Sequence, residues 1–216
     1  MIQLNLKKRL YTSSVLFLLF LLIISHSFFL IFSLIIFFVI SVIEFINLTS
    51  KIIRNKILFF LSNLIFIIYI SFLFIIFFYF SNFIQLKIII FSLLIGCIAS
   101  DIGGFIFGKL FSGPKLTKIS PNKTYSGALG SIIFSGIVFS CAIFIFTDDL
   151  NFKILLIGII ASIASQLGDL FFSYMKRSAK IKDTGDFLPG HGGVLDRIDG
   201  ILFGVPIGFY FLTVLL

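Results

Sequence analysis

Tryptophan is absent from this chain, cysteine and methionine occur twice each, and only 12% of the 216 residues are charged. Glycine and proline are missing from the first 95 residues; all 17 glycines and all four prolines come later. So little charge beside 32 phenylalanines and a mean hydropathy of +1.20 excludes a water-soluble domain of this length, which could not hide that much apolar surface. Two cysteines, Cys97 and Cys141, both inside apolar runs, make neither a disulfide framework nor a metal pair and read as small buried hydrophobes. The apolar runs are continuous rather than alternating, so there is no signal of an outer-membrane barrel. A net charge of +8 would suggest nucleic acid in a soluble protein. Here the basic residues have a topological explanation, and no nucleic-acid partner is expected.

What is present is a series of runs at or beyond the roughly 18–20 apolar residues that span a bilayer. The fold class is all-α, a polytopic transmembrane helix bundle. Spans are expected at about 10–25, 28–48, 57–80, 87–109, 127–147, 153–175 and 199–216. Lys7, Lys8 and Arg9 ahead of the first run resemble a signal peptide, but no A-x-A-like site follows, so the run reads as an uncleaved first helix. The run 57–80 could be one span or two short helices, each half being about 12 residues, roughly 18 Å, and too short to cross. Charge favours one span. With seven spans and the N-terminus inside, the inner segments 1–9, 49–56, 109–126 and 176–198 hold all of the 17 basic residues except Lys87 and Lys153. Seven spans, N-in and C-out, follow. One integral-membrane domain covers 1–216, with apolar helices in 1–86 and the chemistry-bearing helices and loops in 87–216. The small residues of the later helices, such as Gly104 and Gly108 or Gly200, Gly204 and Gly208, read chiefly as close helix packing.

Glu44, Asp101, Asp169 and Asp199 lie in or at the ends of spans, where an ionisable group is costly and a functional candidate by default. All four fall towards the face that carries the basic loops. For Glu44, one turn from a boundary, the stronger reading is that it snorkels or pairs with Lys51 or Arg54. Asp101 opens DIGGFIFGKLFSGPKLTKISPNKTYSGALG, where Gly and Ser recur around Lys115, Lys118 and Lys123. Such a loop can wrap phosphates, and a basic loop that merely enforces topology would look similar.

The stretch GDLFFSYMKRSAKIKDTGDFLPGHGGVLDRID, residues 168–199, is more specific. Asp169 and Asp196 are hard oxygen ligands suited to Mg²⁺. Asp196 and Asp199 are three residues apart and could face one way on a starting helix. Lys176, Arg177, Lys182 and Arg197 can hold polyphosphate. Gly190, Gly192 and Gly193 let backbone approach a ligand. His191 could donate to a phosphate or simply order the loop. Acids for metal beside bases for phosphate, at a membrane face, point to phosphoryl or nucleotidyl transfer.

The run Ser173-x-Met175-Lys176-Arg177, then Lys182-Asp183-x-Gly185, then Leu188-Pro189-x-His191-Gly192-Gly193-Val194-x-Asp196-Arg197-Ile198-Asp199 resembles the signature of the phosphatidate cytidylyltransferases, the CDP-diacylglycerol synthases. SDIGGFIFGKLF and ISPNKTYSGALG resemble two further blocks of that family, so the likeness covers roughly residues 95–204, with the Glu44-Phe45 pair as a fainter echo upstream. Ser100 stands where the family often has Asn, and Tyr125-Ser126 where Trp-Glu is common. The resemblance implies an enzyme that transfers CMP from CTP to phosphatidic acid, giving CDP-diacylglycerol and pyrophosphate. It also implies a place in the bacterial inner membrane among its lipids, the site facing the cytoplasm, and a homodimer. By position it implies Asp169 and Asp196 as ligands of Mg²⁺, with a second metal position. The expected catalytic set is Asp169, Asp196, Lys182, Asp183, His191, Arg197 and Asp199. The expected phosphate-holding set is Ser120, Lys123, Lys176, Arg177, Gly192, Gly193 and Asp101. Neutralising Asp169 or Asp196 is expected to cost rate and to leave folding nearly unharmed. A polyprenol kinase or another lipid cytidylyltransferase would share metal and nucleotide and differ in acceptor. A transporter would show midplane acids and an inverted repeat, and neither is seen.

Overall fold

Long runs of Leu, Ile and Phe without glycine or proline leave the backbone no competing partner in an apolar medium, so each closes its own hydrogen bonds as a helix. The computed structural model describes residues 14–215, apart from 16, 17, 20, 24, 149 and 191. Its helices are α1 (Ser27–Ile52), α2 (Lys56–Ser81), α3 (Ile84–Phe111), α4 (Tyr125–Thr147), α5 (Phe152–Ser178), the short α6 (Leu195–Ile198) and α7 (Ile201–Leu215). Among the described residues there is no strand, and two isolated bridges, Lys115 with Thr124 and Leu188 with Gly192, pin loops. Among the described residues six helical segments are long and apolar enough to cross a membrane. The chain is an all-α, polytopic membrane protein.

The expected spans from 28 onward all appear. The first expected span, 10–25, lies largely outside the described residues. The run 57–80 is one unbroken helix of 26 residues, α2. Its start is capped by Asn55, whose side-chain oxygen accepts from the amides of Ile57 and Leu58. The last span, expected at 199–216, appears as α7, with the short α6 ahead of it. Asp199 and Gly200 form a turn that separates α6 from α7.

The chain divides into two compact units. One is drawn from the chain up to Asn82 together with Met175–Ile198; the other from Phe83–Tyr174 and Asp199–Leu216. The segment Met175–Ile198 groups with the N-terminal helices.

In the first unit α1 and α2 form a hairpin. Phe45 stacks on Phe66 with ring centroids 3.8 Å apart, and Leu48 and Ile70 are buried. Thr49 Oγ1 donates to Asn63 Oδ1 across the two helices at 3.1 Å, and Asn63 in turn donates to the Phe59 carbonyl at 2.7 Å. In lipid, such polar contacts and van der Waals packing, not water exclusion, join helices. The lipid-facing sides carry exposed residues such as Phe60, Ile65 and Phe72.

In the second unit α3 and α4 pack backbone to backbone. A Cβ at Gly127 would lie 2.8 Å from the Gly104 carbonyl oxygen, so only glycine permits this approach. Serines tie the helices: Ser100 and Ser162 share a hydrogen bond of 2.8 Å, and Ser135 Oγ donates to the Gly96 carbonyl at 2.8 Å. Leu93, Phe139, Ile143, Ile154, Ile157 and Ala161 make the buried core, against which α7 packs Val205 and Phe209.

Candidate functional site

The polar loop of the first unit begins where α5 stops. Lys180 takes a left-handed conformation (φ 57°), its amide donates to the Arg177 carbonyl, and the Ile181 amide reaches back to the Lys176 carbonyl, both at 3.0 Å. This is the Schellman pattern with lysine where glycine is usual. It turns the chain off the helix axis while Lys176 stays in the last helical turn. Further on, the Leu188 amide donates to the Gly192 carbonyl at 2.9 Å and closes a tight turn. His191, expected in the catalytic set, lies outside the described residues.

Two carboxylates organise the loop. Asp196, at the start of α6, has a side chain only 6% exposed. Its Oδ1 pairs with Lys176 Nζ at 2.7 Å, and its Oδ2 accepts from the amides of Thr184 (2.8 Å) and Gly193 (3.0 Å). Glu44 is the second. It comes from α1, is 5% exposed, and accepts from Val194 N (3.0 Å), Leu195 N (2.8 Å) and Thr184 Oγ1 (3.0 Å). The three successive amides of 193–195 are thus shared between two acids, and Thr184 touches both. Gly193 leaves room for this: a Cβ there would stand 2.7 Å from Glu44 Cδ. Gly192 (φ 82°) has Asp196 and Asp183 on its open side. Arg177, Lys182, Asp183 and Arg197 are exposed; the Arg177 guanidinium donates to the Ile181 carbonyl at 3.2 Å.

The second unit carries the other expected residues. Lys123 and Asp169 form an ion pair with side chains 28% and 29% exposed, and Ser173 Oγ donates to Asp169 Oδ1 at 3.1 Å from the next turn of α5. Lys123 is delivered by the folded loop 112–124. The Leu116 amide donates to the Lys123 carbonyl at 2.7 Å, the Tyr125 amide to the Pro114 carbonyl at 3.2 Å, and Ser126 Oγ to the Ser112 carbonyl. Thr124 then caps α4, its hydroxyl accepting from Gly127 N. Ser120 sits in the same loop, its amide donating to Thr117 Oγ1 at 3.2 Å. Asp101 is exposed on α3. Asp199 is 8% exposed, and its Oδ1 accepts from the Gly200 amide at 2.8 Å.

Of the expected residues, then, Asp196, Lys176 and Gly193 are joined in the first unit, and Asp169 and Lys123 in the second. The sequence leaves Glu44 between a direct role, given less weight, and the stronger readings of snorkelling or a pair with Lys51 or Arg54. Its donors are instead loop groups 140 to 151 residues away. One signal was available: Glu44 is the sole acid before Asp101.

Among the described residues no three His, Cys, Asp or Glu side chains gather into a ready metal cage. Asp169 and Asp196 nonetheless fit a hard divalent cation. Each carboxylate already holds a lysine ammonium, and Mg²⁺ commonly takes one or two carboxylates and completes its shell with water and substrate phosphate. Asp169 is the more open of the two.

Comparison with known proteins agrees with these motifs. A phosphatidate cytidylyltransferase from Helicobacter pylori (strain ATCC 700392 / 26695) is 43% identical over 115 residues, 52% of this chain and 42% of the relative. One from Staphylococcus haemolyticus (strain JCSC1435) is 47% identical over 110 residues, 50% of this chain and 42% of the relative. One from Rickettsia bellii (strain RML369-C) is 42% identical over 118 residues, 51% of each. The chain spans about half the length of the curated relatives it matches. The family model described as the cytidylyltransferase family matches residues 2–215, and with nearly every residue inside that match, the chain belongs to the cytidylyltransferase family.

Proposed function

We propose that this chain transfers CMP from CTP to phosphatidic acid, releasing pyrophosphate and forming CDP-diacylglycerol. The observation that carries this reading is the loop Lys176–Asp196, folded on two buried carboxylates within a membrane protein and leaving Arg177, Lys182 and Arg197 exposed. A lipid phosphate oxygen attacks the α-phosphorus of CTP. The bond to the bridging oxygen breaks, and its electron pair leaves with pyrophosphate. The nucleophile is already an anion at neutral pH, so alignment and charge neutralisation are what the residues must supply. The exposed guanidinium and ammonium groups bind and orient phosphate oxygens. Lys176 and Lys123, each already on a carboxylate, hold fixed positive charge beside Asp196 and Asp169. Ser173 orients the Asp169 carboxylate, and the amides of Thr184 and Gly193 orient that of Asp196. Asp169 in the second unit and Asp196 in the first are each suited to hold Mg²⁺, which would supply charge neutralisation for the reacting phosphates.

The distribution of basic residues supports an N-in, C-out topology in the inner membrane of a bacterium, with the loops on the cytoplasmic side where CTP is found. A homodimer belongs to the same reading through the family resemblance. The test is purified protein with labelled CTP, phosphatidic acid and a polyprenol as rival acceptor, with Mg²⁺ and with chelator. Label in CDP-diacylglycerol, equimolar pyrophosphate and loss of turnover on chelation are expected. Efficient transfer to the alcohol with release of CDP would replace this reading with a kinase.

A further inference from the structure

An acid on a membrane helix is expensive unless its oxygens are satisfied. Glu44 meets that condition with three donors, all from one loop. The pattern is more directed than solvation requires. Val194 and Leu195 immediately precede Asp196, so holding their amides holds the backbone from which Asp196 and Arg197 project. Thr184 makes a second link: its hydroxyl donates to Glu44 and its amide to Asp196. Two glycines keep the approach clear, since a Cβ at Gly185 would stand 2.6 Å from Glu44 Oε1 and one at Gly193 2.7 Å from Glu44 Cδ. Glu44 itself rides on a braced helix, with Phe45 stacked on Phe66 and Thr49 bonded to Asn63 within the next turns.

We propose that Glu44 is a positioning residue for the nucleotidyl-transfer loop, fixing Asp196 and Arg197 through Val194, Leu195 and Thr184. The α1–α2 hairpin is then the base of the site's loop, not lipid-facing filler. The inference rests on the transfer activity proposed above for its functional half, and on geometry alone for its structural half.

The perturbation is Glu44→Gln, nearly isosteric. The carboxamide keeps one acceptor oxygen, and its NH₂ group then faces an amide or hydroxyl that also donates. Three quantities are read on the full-length protein in detergent: hydrogen exchange at 184–195, the kinetic constants with their Mg²⁺ dependence, and thermal stability. Ser135→Ala, which removes a buried hydrogen bond in the other unit, is the control for general destabilisation. Glu44→Gln is expected to speed exchange at Val194 and Leu195 by about tenfold or more. It should lower kcat by about 10–100-fold or raise the half-saturating Mg²⁺ by a similar factor, as loss of an outer orienting partner does. The KM for CTP should move little. Ser135→Ala should leave local exchange at 194 and 195 and the Mg²⁺ dependence unchanged. Unchanged exchange at 194 and 195, or faster exchange with unaltered kcat and Mg²⁺ dependence, would overturn the proposal. So would an equal kinetic loss in Ser135→Ala. If the wild-type protein transfers no CMP to phosphatidic acid, the activity reading fails by itself, and the exchange comparison still decides whether Glu44 holds the loop.

Discussion

Asp169 and Asp196 carry the same expected duty, yet neutralising them should have different structural costs. Asp196 has a 6% exposed side chain, facing a Lys176 side chain that is 11% exposed. Its two oxygens meet one ammonium and two amides. In Asp196→Asn the remaining oxygen can satisfy the two amides only by turning the NH₂ group towards Lys176, donor against cation. Breaking a buried pair by removing one partner costs about 3–5 kcal/mol. At about 2–4 °C per kcal/mol for a chain of this size, the thermal midpoint should fall by roughly 6–20 °C. Asp169→Asn loses a half-open pair, in which Lys123 and Asp169 are 28% and 29% exposed, and such pairs contribute about 0–1 kcal/mol. Its midpoint should move by a few degrees at most. Both variants should lose on the order of a hundredfold in turnover, the scale of a lost transition-state charge contact. Adding Lys176→Met to Asp196→Asn removes the orphaned ammonium, so stability should recover while activity does not. The assay is a thermal melt in detergent beside CTP turnover for all four proteins. Equal midpoint losses for the two single variants, or an Asp196→Asn protein as stable as wild type, would refute the argument. So would a double variant no better than the single. The sequence-level expectation that both neutralisations spare folding is thereby kept for Asp169 and revised for Asp196.

Two further outcomes are expected. In a background with Cys141 replaced by alanine, a cysteine at Ser112 should resist membrane-impermeant thiol reagents in intact cells and one at Asn151 should react; the opposite labelling would reverse the topology. Gly193→Ala should cost most of the turnover and loosen the loop, because its Cβ would press on the Glu44 carboxylate; near-normal turnover would mean that the loop can shift without losing function.

Much of the local structure was legible because its causes are local. The unbroken α2 follows from a long apolar run opened by an asparagine cap, and α4 from a threonine cap. The signature between Ser173 and Asp199 marked the polar loop through residue types and spacing alone. Less could be read from the phenylalanine-rich helices. Lipid tails are as apolar as leucine, so hydropathy does not distinguish a face that meets lipid from one that meets protein. Composition therefore suggests only apolar cylinders for α1 and α2, suited to facing lipid or each other.

The sequence by itself determined the membrane class, the family and the acids and bases available for chemistry, since each depends on residue type, run length and short-range spacing. Only the tertiary structure decided that Glu44 holds amides 150 and 151 residues away and that Asp196 is enclosed while Asp169 is half open. It also decided that α5 ends on a left-handed lysine, and that a turn at Asp199 and Gly200 divides the short α6 from α7. These features arise where distant segments meet and exchange hydrogen bonds. No periodicity along the chain encodes which donor a buried carboxylate will find, because that choice is made by the packing that brings the two segments together.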